Sequence, residues 1–247
     1  MILTENSKLR GKHALFSPSQ PSWLNYTNDE FASKLPNKYK SDIGSEIHEW
    51  ASAQIELGHK ITSVKEIQKD VETHIYEKYS RFSYEQLMTS ITGDAVDSGP
   101  TLPYLSDYGK ILLRCMKYVG SEAYETVKCY VNDCVGYKMR TEVLVDYTDN
   151  FFGTADALKF DGKVLRIHDL KTGSSPVHIE QLMIYAALYF LKLGIKKNEE
   201  LDSITTELRI YQNNDILIAK PESEDLTPIM NKIVVFDRIM DKFKGGK

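Results

Sequence analysis

Two aspartates and a lysine stand close together in a stretch of this chain that has the pattern of a β-hairpin. Asp156 lies in the first predicted strand, and Asp169 and Lys171 lie two residues apart at the end of the second. Side chains alternate between the faces of a strand, so Asp169 and Lys171 should point the same way, and Asp156 can meet them across the hairpin. A divalent ion such as Mg²⁺ or Mn²⁺ would relieve the repulsion between the acids. A lysine beside that ion can position water and stabilise charge on a phosphate, which is the chemistry of phosphodiester cleavage.

The same three residues also fit a structural salt bridge between Lys171 and either Asp156 or Asp169, which needs no metal. The helix predicted over residues 178–194 favours the site, because Gln181 and Tyr185 are four residues apart and share one face. Both are polar in an otherwise apolar helix, where they could reach a phosphate or orient the lysine. Taken alone, they would equally fit hydrogen-bonded core groups.

The elements around these residues divide the chain into two parts of a single predicted domain. Residues 1–135 show mainly helical periodicity, with a first helix capped by Ser41-Asp42 and ended by Gly58. Residues 136–247 predict three strands, a buried helix, two strands and a final helix. Asp161-Gly162 and Asn213-Asn214 predict the two hairpin turns. We therefore expect an α/β fold with a mixed sheet flanked by helices, behind a helical N-terminal region.

Composition narrows the class of protein. The net charge of −4 argues against a general basic coat for nucleic acid, although it leaves room for a local basic groove. No apolar run approaches the roughly 18 residues of a membrane span, and the first residues do not read as a signal peptide. Three cysteines without regular spacing favour a reducing compartment. We expect a cytoplasmic protein without a membrane partner.

The ordered motifs resemble the RecB-type branch of the PD-(D/E)XK nuclease superfamily. They are G-x-x-D ending at Asp156, the Asp-x-Lys-Thr-Gly that begins at Asp169, and Q-x-x-x-Y from Gln181 to Tyr185. That branch also carries a histidine on an N-terminal helix, and His48 in GSEIHEW matches it. The segment HALFSPSQPSWLNYT looks like the start of phage-encoded members. The resemblance leaves the helical middle of the chain unassigned.

The resemblance implies a PD-(D/E)XK restriction-endonuclease-like core and a role for each matched residue. The implied metal ligands are His48, Asp156, Asp169 and the backbone carbonyl of Leu170. Lys171 would position the attacking water, with Asp156 and Asp169 as its catalytic partners. Gln181 and Tyr185 would contact the substrate strand or support the lysine. If His48 is a ligand, its imidazole must be neutral, and metal affinity should fall as the pH drops through the histidine range.

The implied activity is that of a Mg²⁺- or Mn²⁺-dependent deoxyribonuclease, and more specifically of a DNA exonuclease of phage or mobile-element origin. Such an enzyme would act in the host cytoplasm, with DNA as partner and a recombination or replication protein as a further one. Two alternatives stay open. One is a non-catalytic DNA-binding or assembly protein on a decayed nuclease fold, and the other is a plain α/β protein whose charges form salt bridges.

Several relatives in that branch hold an iron–sulfur cluster through one early and three late cysteines. Here Tyr26-Thr27 takes the early place, and Cys115, Cys129 and Cys134 all precede the core acids. Three cysteines cannot build a four-cysteine cluster, so we predict none. The chain also lacks a glycine-rich phosphate loop, and we predict no ATP site.

Residues outside the motifs have weaker interpretations. Glu142, in the strand before Asp156, is either a solvent-facing residue or a carboxylate beside the ligands or the substrate. His168 should face away from the acids and be structural. The remaining candidates either meet phosphates and bases or form an ordinary solvated loop; they are Lys34, Lys38, Tyr39 and Lys40.

Overall fold

The computed structural model describes residues 39–81, 104–173, 176–195 and 198–245, together with Asn25, Thr27 and Glu30. Among the described residues, the part of the chain that precedes the large sheet is mainly helical. Its helices are α1 (Lys40–Glu56), α2 (Val64–Tyr79), α3 (Asp107–Met116) and α4 (Ser121–Tyr137). A short antiparallel pair, β1 (Ser80–Arg81) and β2 (Tyr104–Leu105), follows α2 and precedes α3.

The second part holds a five-stranded sheet whose strands lie side by side in chain order. They are β3 (Arg140–Thr148), β4 (Phe151–Phe160), β5 (Val164–Leu170), β6 (Thr205–Gln212) and β7 (Asp215–Ala219). Neighbouring strands are antiparallel, except that β5 and β6 run parallel. A parallel pair needs a crossover, which α5 (Glu180–Lys192) and α6 (Asn198–Asp202) supply. Helix α7 (Ser223–Gly245) follows β7.

The sheet is covered on both faces, and the predicted α/β class with a mixed sheet flanked by helices is confirmed. Helices α1 to α4 pack on one face, against Ala157, Leu170 and Tyr211, and we call this cluster the helical-region core. Helices α5, α6 and α7 pack on the other face, in a cluster that we call the α5 core. In the described ranges, no helix is both long and apolar enough to cross a bilayer.

The predicted cap of α1 is wrong. The helix begins at Lys40, and Tyr39 occupies the cap position without a side-chain hydrogen bond to the helix. Asp42 instead lies in the first turn, near Tyr108 of α3, whose pKa it helps to raise. The carboxylate that the sequence pattern assigns to the cap is thus already inside the helix. Gly58 ends the helix as predicted, with a left-handed φ of +69°.

The turn between β4 and β5 lies one residue later than predicted. The N–H of Asp161 donates to the carbonyl of Val164 at 3.3 Å, so Gly162-Lys163 forms the two-residue loop. The Asp161 carboxylate accepts from the N–H groups of Lys163 and Val164 at 3.0 and 2.8 Å, and the aspartate therefore caps the turn instead of forming it. The Asn213-Asn214 turn is as predicted, with both residues left-handed.

The sheet is irregular where Glu142 and Asp156 face each other. Residues two apart in a regular strand share a face, yet Ala155 belongs to the α5 core and Ala157 to the helical-region core. The ladder between β3 and β4 is paired on both sides of Glu142 and Asp156 but does not pair these two residues. Glu142 has a φ of +48°, a conformation uncommon outside glycine. We call this irregularity at Glu142 and Asp156 the crease. It lets one sheet pack on the α5 core at one end of the hairpin and on the helical region at the other.

A buried polar network ties α4 to the strands behind the crease. His168 is fully buried, and its Nδ1 lies 3.2 Å from the Tyr211 hydroxyl. That hydroxyl donates to Asp133 at 2.7 Å, and Asp133 also accepts from Arg209 at 2.7 Å. Arg209 donates to the Tyr137 hydroxyl at 2.9 Å. His168 therefore faces α4 and away from Asp169, as strand alternation predicts.

We expect His168 to make the protein acid-labile. Burial lowers the pKa of His168 to about 3, and Arg209 and Arg166 act in the same direction. In the unfolded chain this histidine takes up a proton near pH 6.5, whereas in the folded chain it stays neutral there. Its contribution to the unfolding free energy is therefore present above that pH and is lost as the pH falls below it. Between pH 7 and 5 this costs roughly 2 kcal/mol of unfolding free energy.

Urea unfolding of wild type and His168→Gln at both pH values measures this loss, because other titrating groups cancel in the difference of slopes. The variant should start less stable but lose less on acidification. His178→Gln, at an exposed position, is the control and should keep the wild-type slope. Equal pH dependence in wild type and His168→Gln would contradict the assignment.

Candidate functional site

The crease opens into a cleft of about 960 Å³. Helix α1 forms one wall, and the connection from α3 to α4, at Tyr118, Val119 and Gly120, forms another. Asp156 in the middle of β4 and residues 171–173, just past β5, close the cleft. Three of the predicted site residues line it, namely His48, Asp156 and Lys171.

Asp156 links two other members of the predicted set. Its Oδ2 accepts a hydrogen bond from the N–H of Leu170 at 2.9 Å, and the same oxygen lies 3.5 Å from Nδ1 of His48. The backbone of Leu170, whose carbonyl is the implied ligand, also acts on the pKa of the imidazole. Gly44 lets α1 approach this closely, since a Cβ there would lie 2.6 Å from Oγ1 of Thr172. A residue about one hundred positions earlier in the chain thus meets the hairpin acids.

Asp169 and Lys171 form a pair beside them. The Lys171 Nζ lies 3.0 Å from Oδ1 of Asp169 and 2.9 Å from Oδ2, but only the contact to Oδ1 has hydrogen-bond geometry. The Asp169 side chain is 4% exposed, and its Oδ2 is buried without a hydrogen bond. The N–H of Lys171 donates to the carbonyl of Tyr211 at 2.8 Å, which fixes the backbone just past β5. This ion pair is also the contact that the salt-bridge interpretation requires.

Helix α5 supports the lysine. Oε1 of Gln181 lies 3.4 Å from the Lys171 Nζ, and Tyr185 follows Gln181 one turn later in the same helix. The Tyr185 hydroxyl donates to the carbonyl of Thr154 at 2.7 Å. Gly153 admits the tyrosine ring, because a Cβ there would lie 2.8 Å from its Cε1. Gln181 thus contacts Lys171, and Tyr185 binds the backbone of β4 two residues before Asp156.

Burial dominates the electrostatics of the site. Desolvation raises the pKa of Asp169 to about 6, with the charge of Asp156 adding to the shift and Lys171 opposing it. Burial likewise raises the pKa of Asp156. Burial lowers the pKa of His48, and the charge of Asp169 opposes this shift. The site therefore holds two carboxyls that ionise reluctantly and an imidazole that stays neutral near pH 7, a pattern that a divalent cation would stabilise.

Glu142 is the residue that sequence reasoning underrated. It is exposed, as one of the two interpretations expected, but it lines the cleft and its charge contributes to raising the pKa of Asp156. It has a left-handed φ at the point where the β3–β4 ladder is interrupted. The only sequence signal is its register, since a hairpin centred on the β3–β4 turn sets Glu142 opposite Asp156.

The tightest group of ligand-type side chains lies elsewhere among the described residues. Oxygen and nitrogen atoms of Glu46, Glu49 and His74 all lie within 4.8 Å of one another. Lys78 already occupies this group, with its Nζ 3.0 Å from Glu46 and in contact with Glu49. The Tyr79 hydroxyl donates to Glu46 at 2.7 Å. Glu46 is buried, and the cluster is an ion-pair network that ties α2 to α1.

The other candidates are placed as follows. Tyr39 is half-buried and packs edge-on against Tyr108, while Lys40 lies on the cleft wall. Lys34 and Lys38 lie outside the described residues. Cys115 and Cys134 are buried, and Cys129 is exposed on α4.

We expect metal binding to weaken below about pH 6, for a reason that differs from the sequence prediction. The Asp169 carboxyl has its pKa raised to about 6, so below that pH a proton must leave before an ion can bind. Burial lowers the pKa of His48, which moves protonation of the imidazole to a lower pH than that of a free histidine. Mn²⁺ titration calorimetry should give an affinity that falls by up to roughly tenfold per pH unit between pH 6 and 5. Asp169→Asn should remove the binding itself; an affinity independent of pH would refute the assignment.

A scan of protein-family models and searches of curated proteins and of solved structures found no significant match to this chain.

Proposed function

We propose that this chain is a Mg²⁺- or Mn²⁺-dependent deoxyribonuclease with a PD-(D/E)XK core of the RecB type. The observation that carries the proposal is that Asp156 contacts His48 and the Leu170 N–H in a cleft, with the Asp169–Lys171 ion pair beside them. The exonuclease assignment and the phage or mobile-element origin rest on the motif resemblance alone.

The donor set fits a hard divalent ion. It offers carboxylate oxygens, a backbone carbonyl and a neutral imidazole, and the Asp169 Oδ2 is buried without a hydrogen bond. His48, Asp156, Asp169 and the Leu170 carbonyl would hold the ion. When bound, it supplies positive charge that stabilises a phosphate in the transition state and makes water easier to deprotonate.

The chain's own groups would do the rest. Lys171, held by Asp169 and Gln181, is aimed to orient the attacking water and to stabilise charge on the scissile phosphate. Gln181 holds that lysine from α5. Burial of the acids excludes bulk water and strengthens each electrostatic interaction.

Two measurements test the proposal. Mn²⁺ calorimetry separates a metal site from a structural salt bridge, because a salt bridge takes up no ion. Degradation of 5′- and 3′-labelled single- and double-stranded DNA then separates a nuclease from a decayed, binding-only protein. Stoichiometric Mn²⁺ binding with metal-dependent degradation is the expected result. Binding of DNA without any cleavage would support the decayed alternative.

We expect His48→Ala to weaken Mn²⁺ binding by roughly tenfold and to reduce the preference for Mn²⁺ over Mg²⁺, because an imidazole nitrogen suits the softer ion. Helix α1 should stay stable, since alanine is the better helix former. Calorimetry with each ion measures both effects. His59→Ala, at an exposed position just past α1, is the matched control. Isotherms identical to wild type would remove His48 from the site.

A further inference from the structure

Two large apolar side chains are exposed on the hairpin that carries Asp156. Leu144 is 59% exposed and Phe152 is 62% exposed. Leu144 pairs across the ladder with Thr154, so Phe152 is its diagonal neighbour on the same face. We call Leu144, Phe152 and Thr154 the hairpin patch.

The patch lies on the side of the sheet where the helical region packs. Val143, Val145 and Phe151 alternate with the patch residues and belong to the α5 core. Strand alternation therefore puts Leu144 and Phe152 on the opposite face, beyond the crease. Glu142 and Asp156, which line the cleft, are the next residues along the two strands. The patch thus continues the cleft past its acidic end.

The distances suit a polymer that runs from the cleft across the patch. Phe152 is four residues from Asp156, or roughly 13 Å along a strand. A stacked nucleic-acid strand covers that span in about four nucleotides, at about 3.4 Å each. An extended strand covers it in fewer.

The cleft offers little general attraction for a phosphate backbone. Its described lining has four carboxylates, on Glu49, Glu122, Glu142 and Asp156, against the lysines at 40 and 171. Affinity for nucleic acid must therefore come from contacts other than long-range charge. An exposed aromatic ring provides one, because base stacking on an aromatic side chain is strong and tolerant of sequence.

We propose that the hairpin patch is a stacking platform for unpaired bases, and that the substrate is single-stranded DNA next to the scissile phosphate. In a duplex the faces of the bases are covered by neighbouring bases. An apolar ring therefore gains little binding energy from contact with the polar exterior of the duplex. An unpaired base can lie on Phe152, with Leu144 alongside. This inference rests on the proposed function, since the patch has this meaning only beside a phosphodiester site.

The test is fluorescence anisotropy with a labelled 12-nucleotide single strand and a blunt duplex of the same sequence, in EDTA to prevent cleavage. Phe152→Ala should weaken single-strand binding at least fivefold and leave duplex binding unchanged. Phe152→Tyr should restore binding and Phe152→Leu should not, because stacking needs a ring. Ile218→Ala is the control, as this β7 residue is 50% exposed and lies near the opposite edge of the sheet.

Two results would overturn the inference. The first is equal single-strand affinity for wild type and Phe152→Ala, or a wild type that prefers the duplex. The second is a lower melting temperature of Phe152→Ala with unchanged DNA affinity, which would mean that another part of the chain covers the patch. If either result is found while Mn²⁺ binding and DNA cleavage are intact, only the stacking role of the hairpin patch is rejected. A wild type that neither binds Mn²⁺ nor cleaves DNA sinks the proposed function.

Discussion

Asp169→Asn should reduce metal-dependent DNA cleavage by more than about 1,000-fold without destabilising the fold. Asparagine keeps the shape of the side chain but lacks the charge that an ion needs. Wild-type Asp169 has its pKa raised to about 6, so its ionised form opposes folding at pH 8, and this cost is lost on acidification below 6. The variant should therefore melt no lower than wild type at pH 8. Loss of activity with stability kept or gained is typical of a functional residue and not of a structural one.

Asp156→Asn should show the same loss of activity. Its amide oxygen can still accept the hydrogen bond from the Leu170 N–H, so the end of β5 stays in place. Asp149→Asn, at the exposed tip of the β3–β4 hairpin, is the control and should cleave as wild type does. Cleavage of labelled DNA in Mn²⁺, with thermal melts of every variant, makes the measurement. Full activity in either of the two site variants would remove that residue from the site.

Lys171→Ala should separate metal binding from turnover. The ammonium lies 2.9 Å from Oδ2 of Asp169, so its removal takes away a positive charge that repels an incoming ion. Mn²⁺ affinity at pH 8 should therefore stay the same or rise. Single-turnover cleavage at saturating Mn²⁺ should fall by roughly 100- to 1,000-fold, because the water and the phosphate lose a positioned charge.

The matched control for this lysine is Lys163→Ala in the exposed β4–β5 turn, which should change neither quantity. Gln181→Ala should show a smaller loss of turnover than Lys171→Ala, since Gln181 acts through the lysine. A fall in Mn²⁺ affinity with normal turnover per bound ion would make Lys171 a structural residue. A fully active Lys171→Ala would favour the salt-bridge interpretation.

The sequence by itself determined the elements that local patterns specify. Period-two alternation predicted that Asp169 and Lys171 share a face and that His168 points away, and both hold because β5 is regular there. The Asn213-Asn214 turn formed as predicted, since two left-handed residues in a row favour asparagine. The α/β class followed from the order of such elements. The α1 cap prediction was wrong because the helix begins at Lys40, ahead of the residues that the pattern assigns to the cap.

Only the tertiary structure decided how the cleft is assembled. His48 reaches Asp156 because α1 packs over the sheet at Gly44, and no local pattern encodes that approach. The crease at Glu142 and Asp156 breaks the regular ladder from which a strand's faces are predicted, and both residues line the cleft there. The pKa values of Asp169 and His48 likewise depend on burial, which is set by residues far away in the chain. Local periodicity reports which face a side chain takes, whereas a site formed between distant elements depends on how those faces pack.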